Sequence, residues 1–194
     1  MYKCYFKAAI DVFLSICGII VLAIPMFIIA IAIKAESKGP ALFKQKRLGK
    51  GQKEFTVYKF RTMCDHAFEK GGVASSESDN RITKVGKFLR KTSLDEFPQM
   101  FNILKGEMAI IGPRPILPFE FEPYKDNAEY ARRYDAKPGM FCTVDLDLRA
   151  TATREQQFEM DAEYVEKMSL GLDCKVFFGI IKTVITGKNV YKEQ

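Results

Sequence analysis

The first forty residues carry the strongest hydrophobic pattern in the chain. The 22 residues from Val12 to Ile33 contain no charge, and a helix of that length measures about 33 Å, enough for the hydrocarbon core of a bilayer. Basic residues flank the run on both sides, although they normally mark one side of a crossing. Pro25 lies inside the run and predicts a kink. Two topologies remain open: a spanning helix, and a re-entrant helix that bends at Pro25.

Weaker patterns follow, and they predict a mixed domain over residues 39–194, separate from a membrane segment over residues 1–38. Strand patterns around a basic, glycine-containing turn predict a hairpin, and helical spacing appears three times. We expect an α/β fold class: a small mixed globular domain with amphipathic helices, the last of which belongs either to the core or to a membrane interface. The predicted elements are strands Ala41–Gln45 and Glu54–Phe60 and helices Ile82–Arg90, Glu155–Met168 and Leu172–Ile185. Residues 65–80 are polar and predict a loop.

Two adjacent carboxylates, Asp95 and Glu96, stand in an otherwise apolar stretch. The four residues from Ser93 to Glu96 match the S-x-x-E capping box. The apolar positions after them predict a helix that ends at Gly106. The pair therefore has two interpretations: acids that only cap a helix, or acids of a chemical site at a helix N-terminus.

The composition narrows the chemistry. Lys and Arg number 30 against 24 Asp and Glu, a net charge of +6, which favours an anionic partner such as phosphorylated ligands, a membrane surface or nucleic acid. The five cysteines are widely separated, which argues against a disulfide framework or zinc site. His66 is the only histidine, so a histidine-based catalytic site would depend on that one residue. Carboxylates, cationic side chains and a hard metal are better candidates.

Basic residues in several segments could converge on the carboxylate pair. The sequence Gly-Pro-Arg-Pro around Arg114 predicts a stiff, extended backbone, and a rigid guanidinium suits phosphate binding; the alternative is a plain turn with a surface arginine. An ionised aspartate can attack phosphorus without a general base, and a neighbouring glutamate can help to hold Mg2+. The other candidate phosphate-binding residues are Lys59, Arg61, Arg90 and Arg149.

Several longer motifs resemble those of a known protein family. They are LFKQKRLG, YKFRTM, RITKVGKFLRKTSLDEFPQMFNILKGEMAIIGPRP, the KPG at residues 137–139, and FEMDAEYVEKMSLGLDCKV. Together with the proline-containing apolar N-terminus, they resemble the bacterial monotopic phosphoglycosyl transferases of the small, catalytic-core type. The resemblance covers nearly the whole chain, and the long central motif is highly specific.

The resemblance implies a reaction and a set of roles. Asp95 matches the nucleophile that attacks the β-phosphate of a UDP-sugar and releases UMP, and Glu96 matches the acid that binds Mg2+. Polyprenyl (undecaprenyl) phosphate then accepts the sugar phosphate, the first membrane step of glycan assembly. Lys59, Arg61, Arg90, Arg114 and Arg149 match basic substrate-binding positions. The family's re-entrant helix, bent at the position of Pro25, implies a monotopic protein in contact with membrane lipid on the cytosolic face of the bacterial inner membrane.

The sequence departs from the family in two places. The helix break is Ile24-Pro25 where the family commonly has Ser-Pro, and residues 140–145 read MFCTVD where the family usually has an I-T-G-W-A-Q-V-like segment. The second departure leaves the sugar open. Two rival functions also remain: direct transfer without a covalent intermediate, and a non-catalytic membrane adaptor that keeps the fold. Nucleic-acid binding is not expected, because no aromatic and basic reading surface is present.

Overall fold

The computed structural model describes residues 2–65, 67, 79–148 and 152–186. Within these ranges the chain forms a small domain of mixed helices and strands, which agrees with the predicted fold class. The helices are α1 (Lys7–Glu36), α2 (Lys84–Thr92), α3 (Met100–Leu104), α4 (Pro118–Phe121), α5 (Ala128–Ala131), α6 (Val144–Asp147), α7 (Arg154–Lys167) and α8 (Leu170–Thr186). The strands are β1 (Leu42–Leu48), β2 (Glu54–Phe60), β3 (Ala109–Ile111) and β4 (Gly139–Phe141).

The strands form two separate pairs. β1 and β2 pair antiparallel from Leu42 opposite Phe60 to Leu48 opposite Glu54, so the predicted hairpin is confirmed, with β1 ending three residues later than predicted. β3 and β4 pair in parallel. This second pair carries the loop at residues 112–115 out of β3 and places it beside the start of β4.

Helix α1 is long and apolar enough to enter a membrane. It continues from Lys7 to Glu36 with Pro25 inside it and no break in the helix. One face of its central part is exposed and apolar, including Ile20, Val21 and Ile24. Because exposed apolar surface of this extent is unfavourable in water, α1 indicates association with a membrane.

Both ends of α1 are attached to the rest of the chain. At the first turn, Lys7 Nζ lies 2.6 Å from an oxygen of Asp173, and the Asp11 carboxylate accepts a hydrogen bond from the backbone N–H of Ile110 at 3.2 Å. Near the last turn, Ile33 is buried in an apolar cluster shared with β2 and α2. Helix α1 therefore contacts the domain at both of its ends, and not only at the end where the chain continues into the domain.

The later helices agree with their predictions to within about two residues, but the predicted capping box is wrong. Ser93 has a left-handed backbone with φ of 57°, and its side chain caps no helix. The reason is that α2 ends directly before it, and the Ser93 N–H bonds to the last carbonyls of α2. A 3₁₀ segment, Leu94–Gln99, follows instead. Gly106, with φ of 76°, ends α3 as predicted. His66 and residues 68–78 lie outside the described residues.

Candidate active site

The carboxylate pair lies on the 3₁₀ segment Leu94–Gln99, which packs across β2 and is called here the acidic wall. Asn102, in the middle of α3, fixes this arrangement. Its fully buried side chain donates to the Thr56 carbonyl at 2.6 Å and accepts from the Tyr58 N–H at 3.1 Å. Within the described ranges β2 pairs only with β1, and these two bonds hold the acidic wall against the other side of the strand that carries Lys59.

Glu96 is held by hydrogen bonds at both carboxylate oxygens. Lys59 Nζ donates to Oε1 at 2.8 Å, and Gln99 Nε2 donates to Oε2 at 2.6 Å. Burial alone would raise the pKa of Glu96, but the charges of Lys59 and Arg114 and these hydrogen bonds outweigh it and lower the pKa below the usual range. Glu96 is therefore an oriented, ionised carboxylate.

Asp95 has the opposite environment. Among the described residues, no other residue donates a hydrogen bond to its carboxylate. Burial, and then the adjacent negative charge of Glu96, raise the pKa of Asp95, although Lys59 and Arg90 act in the other direction. Two neighbouring acids thus have pKa values pushed apart, a pattern typical of groups with different chemical roles. Asp95 is the more basic and the less restrained of the two.

The loop at residues 112–115, called here the basic wall, presents Arg114. Its backbone is fixed by a buried ion pair in which Arg133 Nη2 lies 2.6 Å from Asp161 Oδ2. Asp161 accepts from the Arg114 N–H at 3.2 Å, and Arg133 donates to the Arg114 carbonyl at 2.5 Å. The wall also passes close to β4, where a side chain at Gly139 would overlap the backbone of Gly112.

The Arg114 side chain leaves this frame towards the acids. Its Nη1 lies 2.8 Å from Oδ1 of Asp145 in α6, and its charge is close enough to Glu96 to help lower the pKa of that carboxyl. The site therefore has two walls: adjacent carboxylates on one side, and on the other a guanidinium carried by a fixed backbone. This arrangement can bind a phosphorylated ligand at the basic wall beside a nucleophilic carboxylate.

Comparison with known proteins identifies the family. Residues 2–187 match the family model described as "Bacterial sugar transferase". The chain belongs to the bacterial sugar transferase family. This result agrees with the resemblance seen in the sequence, and the match includes both walls of the site.

Three relatives in this family have informative names. The chain is 36% identical to the UDP-N-acetylgalactosamine-undecaprenyl-phosphate N-acetylgalactosaminephosphotransferase of Aeromonas hydrophila. The aligned region covers 94% of this chain and 44% of the relative. It is 35% identical to the Bacillus subtilis sugar transferase EpsL, over 97% and 89% of the two chains. It is also 35% identical to the UDP-glucose:undecaprenyl-phosphate glucose-1-phosphate transferase of Klebsiella pneumoniae, over 96% and 41%. The chain thus spans less than half of two of these relatives.

The structure of this sugar transferase family member brings only some of the predicted basic residues to the acids. Arg90 lies close enough to affect Asp95, and its Nε donates to Thr62 Oγ1 at 2.9 Å. Arg61 is buried at the end of α1, where it donates to the Ser37 carbonyl at 2.9 Å and to the Lys38 carbonyl. These contacts give Arg61 a structural role in holding α1. Arg149 lies outside the described residues.

Sequence reasoning missed the residues that support the site. Gln99, Asn102, Asp145 and Asp161 contact a site residue or fix the backbone on which one lies. The only local signal was the position of Gln99 three residues after Glu96, because residues at that spacing lie on one side of a helical turn. The others act between segments far apart in the sequence, where no periodic pattern connects them.

The carboxylate pair fits a magnesium ion that also binds substrate. In the described ranges no three His, Cys, Asp or Glu side chains come together as a metal cluster. Mg2+, however, commonly takes one or two carboxylates and completes its shell with phosphate oxygens and water. Each oxygen of Glu96 accepts one hydrogen bond and keeps further acceptor capacity. Glu96, with Asp95 beside it, could therefore hold Mg2+ once a diphosphate is bound.

Proposed function

We propose that this protein transfers a sugar 1-phosphate from a UDP-sugar to polyprenyl phosphate, with Asp95 as the nucleophile. The observation that carries the proposal is the contrast within the pair: Glu96 is hydrogen-bonded at both oxygens, whereas Asp95 accepts no hydrogen bond from the other described residues. A nucleophile needs an accessible lone pair, and a raised pKa increases its basicity. The relatives named as undecaprenyl-phosphate transferases support the same substrate class.

The proposed reaction has two displacements at phosphorus. An Asp95 oxygen attacks the β-phosphorus of the UDP-sugar, the bond from that phosphorus to the bridging oxygen breaks, and UMP leaves with the electron pair. The product is a sugar-phosphoryl ester of Asp95. A phosphate oxygen of polyprenyl phosphate then attacks the same phosphorus, the bond to Asp95 breaks, and the carboxylate is restored together with a polyprenyl diphosphate sugar.

The other site residues would orient and stabilise the phosphates. Arg114 presents its guanidinium to the diphosphate from a fixed backbone, so little entropy is lost when it binds. Lys59 holds Glu96 and adds positive charge, and Arg90 adds charge beside Asp95. When bound, Mg2+ would offset the negative charge of the diphosphate.

We also infer that α1 is re-entrant, with a bend at Pro25 that does not interrupt the helix, and that the site faces the cytosol at the inner membrane of a bacterium. The two attached ends of α1 support this topology, because a helix that crossed the bilayer would carry one end away from the domain. Lys7 binds Asp173 at one end, and Arg61 caps the carbonyls at the other. The exposed apolar face between them would then lie in lipid.

UMP release tests the reaction class. Purified protein in detergent, with Mg2+ and polyprenyl phosphate, is offered a panel of UDP-sugars beside Asp95→Asn and the matched control Asp126→Asn, which removes an exposed carboxylate. We expect UMP from at least one donor, lost in Asp95→Asn and kept in the control. UMP release that survives in Asp95→Asn would contradict the nucleophile, and no UMP from any donor would favour the adaptor.

Thiol labelling tests the topology. One variant keeps Cys4 as its only cysteine, and a second has Lys38→Cys in a cysteine-free background. We expect both thiols to be protected from a membrane-impermeant reagent in intact spheroplasts and to react after lysis. Labelling of Cys4 alone in intact spheroplasts would support a full crossing. The first variant has alanine in place of Cys17, Cys64, Cys142 and Cys174, and the second has alanine in place of Cys4 as well.

A further inference from the structure

Asp145 is an acid in a site that must bind an anion, and its contacts explain what it does there. Its Oδ1 accepts from Arg114 Nη1 at 2.8 Å. Its Oδ2 accepts from the backbone N–H of Cys142 at 3.2 Å and from the Cys142 thiol at 2.7 Å. Burial, and then the charge of Asp145, raise the pKa of this thiol, so it stays protonated as a donor. Both oxygens are thus used, and the carboxylate has one fixed direction.

The side chains of Asp145 and Arg114 differ in their exposure to solvent. The Asp145 side chain is 14% exposed, whereas that of Arg114 is 43% exposed. The Arg114 side chain is therefore held by Asp145 at Nη1 while much of its surface stays exposed. Since a guanidinium has five N–H donors, it can keep the bond to Asp145 while it donates to phosphate.

The contacts that hold the backbone of Arg114 do not fix its guanidinium. Asp161 and Arg133 bind the main chain of Arg114, but four rotatable bonds separate that main chain from the guanidinium. The ion pair with Asp145 restrains the guanidinium itself. The same carboxylate offsets part of the arginine's charge. A site with that charge uncompensated would bind a nucleotide diphosphate more tightly in the ground state, which does not accelerate the chemical step.

We propose that Asp145 is a positioning residue for the transfer reaction: it orients the Arg114 guanidinium towards the donor diphosphate and limits how tightly the nucleotide is held. This inference rests on the proposed function. It assigns a role to a segment, residues 140–145, that departs from the family pattern. Asp145 acts through Arg114, and it touches neither the acids nor the reacting atoms.

The test combines turnover with UDP binding measured by calorimetry in detergent. In Asp145→Asn we expect kcat to fall about tenfold, because misplacement of a binding group is costly to the reaction, while UDP binds several-fold more tightly. Asp145→Glu, which keeps the charge, should recover most of both values. Asp126→Asn, an equal change in net charge at an exposed position, should alter neither.

The dependence on Arg114 makes the test specific. In an Arg114→Gln background, which removes the charge that Asp145 offsets, Asp145→Asn should produce little further change in kcat or UDP affinity, because residues that act as one unit are not additive. Equal fold-changes in both backgrounds, or unchanged kcat and UDP affinity in Asp145→Asn, would overturn the proposal. Asp145→Ala, which places no amide N–H group against Cys142, gives the same comparison if Asp145→Asn does not fold.

UDP binding also separates this inference from the proposed function. If the wild-type protein released no UMP from any donor, the transfer reaction would fail. The calorimetric comparison would still decide the inference: tighter UDP binding in Asp145→Asn that disappears in the Arg114→Gln background supports it, and its absence contradicts it.

Discussion

The acidic wall and the basic wall of the site are both fixed by charged groups, but these groups act on different parts of the chain. At the acidic wall, Lys59 and Gln99 hold the side chain of Glu96, whereas Asp95 accepts no hydrogen bond from any other residue in the described part of the chain. At the basic wall, Asp161 and Arg133 hold the backbone of Arg114.

The difference matches the work that each wall would do. A nucleophile has to move when it forms a bond, so hydrogen bonds hold the neighbouring acid and not the nucleophile itself. A phosphate-binding arginine is most effective when the backbone that carries it is rigid. Lys59 is 28% exposed and can exchange its contact with Glu96 for one with substrate. The Arg133–Asp161 pair is almost completely buried, so it cannot take part in such exchange.

The largest effect should come from removing the Asp95 carboxylate, the proposed nucleophile. In Asp95→Asn we expect turnover to fall by on the order of 10⁴-fold or more, as when other covalent nucleophiles are removed. Because the folded state raises the pKa of Asp95, its ionised form destabilises the fold, and this penalty grows as pH rises through the raised value. The inactive variant should therefore melt at or above the wild-type temperature at neutral pH. Inactivity with a much lower melting temperature would indicate misfolding instead.

Removing the buried ion pair behind the basic wall should mainly lower the free energy of unfolding. Asp161→Asn leaves Arg133 buried with a weakened partner, and loss of one member of a buried pair costs about 3–5 kcal/mol. The matched control is Glu163→Gln on the same helix, which breaks an exposed pair with Lys167 and should change stability by less than about 1 kcal/mol. Denaturant unfolding monitored by fluorescence or circular dichroism measures both, and equal effects would contradict the role given to Asp161.

Lys59 tests how the acidic wall is oriented. Lys59→Met should lower kcat/KM by about 10²-fold, because Glu96 loses its partner and the site loses a cation. Lys46→Met, on the same hairpin, breaks a solvent-exposed pair with Glu54 and makes the same change in net charge, so it should keep nearly full activity. Steady-state UMP release compares the two variants. A similar loss in both would mean that charge alone, and not the contact with Glu96, is responsible.

The smallest expected effect is a displaced pH profile. The proposed attack needs ionised Asp95, and its pKa is raised by burial and by Glu96. Activity should therefore rise with pH through a value clearly above the ordinary aspartate range near 3.9, and should be lost as pH falls through it. The logarithm of kcat/KM against pH, with thermal stability followed in parallel, measures this limb. A limb at the ordinary aspartate value would contradict the environment described for Asp95.

The sequence predicted the parts of the site that depend on local chemistry. The adjacent acids, the stiff loop around Arg114 and the hairpin that carries Lys59 follow from motif and pattern. The capping box at Ser93 was wrong because the same residue already ends α2, and one residue cannot adopt both conformations. Arg61 was grouped with the phosphate-binding residues by its charge and by the resemblance; its hydrogen bonds to the carbonyls of Ser37 and Lys38 lie at the end of α1, and its role toward substrate stays a prediction.

The supporting residues were beyond prediction for a different physical reason. Asp161 lies 47 positions from Arg114, and Asp145 lies 31 positions from it. In the sequence Asp161 belongs to an acidic helix whose charges would ordinarily face water, and only the fold buries it against Arg133. A local pattern carries no information about which charged residue becomes the buried one.

The most direct test of the central claim is the mass of the intact protein after incubation with an active UDP-sugar and Mg2+ but without polyprenyl phosphate. We expect an adduct with the mass of one sugar phosphate, located on Asp95 by peptide mapping, absent in Asp95→Asn and discharged when polyprenyl phosphate is added. Rapid transfer to polyprenyl phosphate with no adduct at any time after mixing would contradict it and would favour direct transfer.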